Sequence, residues 1–129
     1  MTPEESERSE RIADEAVSTW QAIDAALSPI LGARGVAALY KRSLALTAAD
    51  HPWLRAVSPE DSPERGDFTA LRTVLSRQPS ESGAAVRSAL LHTFRELLTK
   101  LIGESLTRLL LSTVRDFSEY GPAVQDTSI

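Results

Sequence analysis

The sequence predicts an all-α protein, a small bundle of four to five helices built from two similar helix–glycine–helix units. Three observations carry this. Apolar residues recur at helical spacing through most of the chain, and no useful stretch alternates at the two-residue period of a strand. Helix starts carry the serine, threonine and proline signals of N-termini. Finally, Ile23, Leu27, Ile30, Leu31 and Gly32 recur 71 positions later as Phe94, Leu98, Leu101, Ile102 and Gly103. A second apolar series follows each glycine, Val36, Leu39, Tyr40, Leu44 and then Leu106, Leu109, Leu110, Val114, now at an offset of 70. That change of one residue predicts similar units joined by different turns.

The first helix opens at Thr2-Pro3-Glu4-Glu5, a capping box with Thr2 as N-cap, Pro3 in the first helical position and Glu5 placed to reach back. Ala16, Trp20, Ile23, Leu27 and Ile30 then follow at spacings of four, three, four and three, a heptad-like stripe. Ser28-Pro29 is expected to end or kink this helix. Gly32 and Gly35 make a short break, and a second helix runs from about Val36 to Ala49. Asp50-His51-Pro52-Trp53 ends it. In the stretch from 50 to 66, Ser58-Pro59-Glu60-Asp61 and Ser62-Pro63-Glu64-Arg65 each resemble a further helix start.

Phe68, Leu71, Val74 and Leu75 mark a short third helix, and Pro79-Ser80-Glu81-Ser82-Gly83 reads as the clearest linker. A fourth helix sets Val86, Leu90, Phe94, Leu97 and Leu101 on one face. A fifth carries Leu106, Leu109, Leu110, Thr113 and Phe117. Gly103 between them marks a turn, or a mild kink in one long helix. Residues 1–2 and about 121–129 are expected to fray, and residues 1–129 read as one domain of a size able to bury a real core.

Composition bounds the function. The chain has 14 basic and 18 acidic residues and a net charge of -4, which weighs against a nucleic-acid binder. Charge is uneven: residues 1–24 hold seven acids against two arginines, whereas residues 25–57 hold Asp50 against Arg34, Lys41, Arg42 and Arg55. Cysteine is absent, which removes disulfides, thiolate ligands and cysteine nucleophiles. The polar, acidic N-terminus is the reverse of a signal peptide, and no apolar run reaches the ~18 residues of a membrane span. The chain therefore reads as soluble and cytoplasmic.

With only His51 and His92, no histidine-rich metal site forms, and no phosphate loop, nucleophile elbow or calcium loop is present. No cofactor and no metal are expected. A helix-turn-helix reading of Gly103–Phe117, with Arg108 and Arg115 on phosphates, fails on the apolar character of that helix and the acidic chain.

His92 is the one position with a chemical proposal. At ~100° per residue it points away from Leu90, Phe94, Leu97 and Leu101, toward Ser88, Arg95 and Thr99, and is expected on the surface. His92-Thr93-Phe94-Arg95 resembles the active helix of histidine phosphotransfer domains, four-helix bundles with an exposed histidine, an apolar residue two on and a base three on. The resemblance implies a phosphoacceptor role for His92, with Arg95 neutralising phosphoryl charge. That family has a small residue four positions after the histidine; here it is Glu96.

The main reading is non-catalytic: a regulatory or signalling protein–protein interaction module that self-associates as a homodimer. Leu91, Leu98 and Ile102 form a shoulder beside the stripe of the fourth helix, and Leu111 lies off the stripe of the fifth. Together with the heptads of the first helix they are expected to supply a two-fold seam. Trp53, Leu54 and Arg55 form a second candidate contact, since tryptophan and arginine are enriched among binding anchors. Trp53 sealing the bundle end, and Trp20 in the core, are the plainer readings. A third hypothesis places a small ligand between the units, in a cavity lined by Trp20, Tyr40 and Phe94.

Overall fold

The computed structural model describes residues 2–57 and 67–114. It is all-α: α1 (Pro3–Leu31), α2 (Ala33–Ala48), a 3-10 turn (Pro52–Ala56), α3 (Thr69–Ser76), α4 (Ser80–Ile102) and α5 (Glu104–Leu111). The helix starts proposed at Ser58 and Ser62, Phe117, and the segment from 121 to 129 lie outside the described residues.

α1 and α4 run parallel. Ile12 lies against Gly83, and Trp20 against Phe94. At their N-terminal ends, the Ser9 hydroxyl donates to the Gln78 carbonyl (2.7 Å), and the Ser80 N–H donates to Glu5 Oε1 (3.1 Å). This pairing explains two departures from expectation. Pro79 to Gly83 is not a linker: Pro79 is the N-cap and Ser80 begins α4, whose first turn is capped by a carboxylate from another helix. Glu5, in turn, does not complete the box with Thr2. Its N–H donates to Thr2 Oγ1 (3.1 Å), but its side chain is taken by Ser80.

Both glycine turns have one geometry. Gly32 (φ 80, ψ 152) and Gly103 (φ 90, ψ 159) sit in a region that only glycine occupies without strain. Each N–H donates to the carbonyl four residues back, Ser28 and Thr99, at 2.8 Å. Each carbonyl receives the N–H four residues on, Val36 and Thr107, at 3.1 Å. Gly103 therefore ends a helix rather than kinking one. Gly35 lies inside α2, which begins directly after Gly32, and Pro29 falls within α1 instead of ending it. So near the terminus, its missing N–H removes just one bond.

The offset of 71 holds through the turn. Val36 and Thr107, Tyr40 and Leu111, and Ser43 and Val114 are the corresponding buried positions. The step to 70 came from following leucines alone; at 107 the buried residue is a threonine, whose hydroxyl donates to the Gly103 carbonyl (2.7 Å). The turns are alike, not different.

Four rings join α1, α2, α4 and the start of α3 at the centre of the core. Trp20 meets Tyr40 edge-on at 4.9 Å and Phe94 at 5.0 Å, and Tyr40 meets Phe68 at 5.1 Å. α1 contributes Ala13, Ala16, Ile23 and Leu27 around them, α3 contributes Leu71 and Leu75, and α4 contributes Val86, Leu90 and Leu98. α3 lies on the N-terminal half of α1, where Arg72 pairs with Asp14. It starts at an Asx-type turn, in which the Thr69 N–H donates to Asp67 Oδ1 at 3.0 Å.

Phe94→Ala is expected to cost about 3–5 kcal/mol, as for other large aromatics removed from packed cores, measured by denaturant unfolding. Gly103→Ala is expected to cost about 1–3 kcal/mol through backbone strain alone. Nothing lies within 4 Å of the added Cβ. The Ser80 hydroxyl and N–H hold the Glu5 carboxyl below its ordinary pKa. A depressed carboxylate stabilises the fold above its unfolded-state pKa and loses that contribution as pH falls through its folded-state value. Thermal melts should show wild type above Glu5→Gln at neutral pH, with the gap closing as the solution becomes acidic.

Candidate functional site

The residues chosen from sequence as an interface divide sharply. Leu91, Leu98 and Leu111 are buried within the monomer, and Ile102 is half-buried against the core. They do not form an open seam, because α4 packs on α1, α2, α3 and α5. Its apolar shoulder is covered by the chain's own neighbours.

In the 3-10 turn, Leu54 is fully buried and Trp53 half-buried against the core, its ring 6.3 Å from that of His51. Of that trio, only Arg55 is exposed. The turn packs on α2 and α3, so Trp53 closes one side of the bundle with part of its ring left to solvent.

Trp20, Tyr40 and Phe94 are buried against one another at the ring distances given above. Edge-on contact between their rings fills the space where a ligand was expected.

His92 is exposed, as its helical phase requires. Its Nε2 lies 2.9 Å from Glu96 Oε1, one turn on. A phosphoryl group on that nitrogen would meet the carboxylate at once, and the i,i+4 pair is the ordinary arrangement of two solvated helical side chains. Arg95 is half-buried. Among the described residues, no three of His, Asp and Glu are grouped to hold a metal ion.

What the structure does leave open is a different set. Ile30 (57% exposed), Leu101 (62%), Leu106 (38%) and Leu109 (67%) are four of five exposed large apolar side chains among the described residues; Leu46 is the fifth. Ile30 and Leu101 are equivalent in the repeat, each two residues before its glycine. Because α1 and α4 are parallel, both turns lie at the same end of the bundle. α5 starts there and shows Leu106 and Leu109 on its outer side. The helical spacing alone places Ile30, Leu101, Leu106 and Leu109 on apolar stripes. Only the phase of the turn shows otherwise: at an offset of 71, Leu106 and Leu109 align with Gly35 and Ala38. Ala38 is exposed on α2.

Lys100, Glu104 and Arg108, close in sequence to these leucines, are exposed, with Arg108 Nη2 3.6 Å from Glu104 Oε1. Among the described residues, no helix is long and apolar enough to cross a membrane. Comparison with protein-family models, with curated proteins and with solved structures finds no match for this chain.

Proposed function

We propose that this protein is a non-catalytic, cytoplasmic interaction module that forms a homodimer through its glycine-turn end. The exposure of Ile30, Leu101, Leu106 and Leu109 on the helices that meet at this end carries the reading, since grouped apolar side chains on a small surface mark sites of association. Two features favour a second copy as the occupant. A two-fold arrangement sets each apolar side chain against an equivalent apolar surface. It also lets Lys100 or Arg108 of one copy meet Glu104 of the other, so the mixed rim is complementary to itself.

Magnitude sets the strength. Covering side chains already partly buried contributes about 1 kcal/mol each, roughly 8 from two copies. Association costs at least about 4 kcal/mol. The balance describes a weak dimer, present at high protein concentration and dispersed by dilution.

Phosphotransfer through His92 is the weaker reading, because Glu96 stands where the transferred charge would arrive. Light scattering over a concentration series should show the mass rising toward that of two chains. Leu101→Glu combined with Leu109→Glu should hold the protein monomeric with its helicity unchanged. A wild-type monomer at the highest concentration would end the proposal.

A further inference from the structure

α2 turns a second, chemically distinct face to solvent. Arg34, Ala38, Lys41, Arg42, Ala45, Leu46 and Ala49 are all exposed. At ~100° per residue Arg34, Ala38, Lys41 and Ala45 fall on one line, with Arg42 and Leu46 along its edge. Arg55 of the 3-10 turn, which packs on α2, adds a further exposed base. No acid occurs between Ala25 and Ala49, although the whole chain carries a net charge of -4. Among the described residues, Arg34, Arg42 and Arg55 have no carboxylate within ion-pair distance.

We propose that this face docks an acidic amphipathic α-helix of another protein. Positive charge on an otherwise acidic molecule steers such a partner to one face and repels it from α1, whose outer side carries Glu4, Glu7, Glu10 and Glu15. The alanines between the bases let a helix backbone come close, and Leu46 offers the apolar contact that ion pairs alone do not supply. A phosphate backbone has no use for that apolar strip, which favours a protein helix over nucleic acid.

The test uses the full chain and a labelled synthetic peptide of acidic amphipathic heptads, beside a scrambled peptide of the same composition. Fluorescence anisotropy should show binding of the helical peptide that weakens with added salt. Arg34→Glu combined with Arg42→Glu should weaken it about tenfold or more. Arg34→Lys combined with Arg42→Lys should retain most of it, with the circular dichroism and melting temperature of both variants unchanged. Equal binding of the scrambled peptide, of heparin or of phosphatidylserine vesicles would overturn the proposal in favour of a general anion surface. No binding of the helical peptide would overturn it outright. A change of oligomeric state on charge reversal would reassign the face to a second copy of this chain.

Discussion

The edge-on packing of Trp20 against Tyr40 and Phe94 is the contact on which the rest of the molecule depends. These rings come from α1, α2 and α4, and Phe68 brings in the residue that starts α3. The indole contact with Phe94, together with Ile12 against Gly83 and Glu5 against Ser80, sets α1 and α4 side by side in the same direction. Glu5 caps α4 at one end of this pair, and both glycine turns meet at the other. Rings in this arrangement gain from quadrupole alignment as well as from area. Their close contact also explains why the bundle interior is packed rather than hollow.

The exposed surfaces begin where that core stops. It covers a face of α4 broad enough to take in Leu91 and Leu98, which lie beside the main apolar stripe. It covers only part of α5, so Leu106 and Leu109 remain on the surface. The molecule therefore presents an apolar end, a basic α2 and an acidic α1, three surfaces of different chemistry on one small bundle.

Much of this was legible in the sequence. Helical period, the Thr2-Pro3 start, burial of Trp20 and exposure of His92 follow from local spacing, and the two glycines announced the turns. What escaped detection depends on tertiary contacts. Ser80 to Gly83 looks like a loop because its helix start is capped from α1, 75 residues away in the chain. The true phase of α5 was hidden because its first buried residue is Thr107, a polar side chain whose hydroxyl is satisfied locally. Leu111 and Val114 belong to that phase, while Leu106 and Leu109 fit a stripe that faces water. Charge was read correctly as uneven. That its basic segment forms one outward face needed the packing of α2 on α4 to be known.

The parallel pairing of α1 with α4 has a consequence for how the chain acquires its structure during synthesis. Until its partners are made, α1 exposes Trp20, Ile23 and Leu27, and Phe94 of α4 emerges some seventy residues after Trp20. α2 can shelter part of that surface early, since a short glycine turn joins them. The Glu5 cap and the Phe94 contact must wait for sequence-distant partners, and such contacts close slowly. The acidic residues along the outside of α1 keep the waiting helix charged on its outer side during that interval, and so discourage its premature association with other nascent chains.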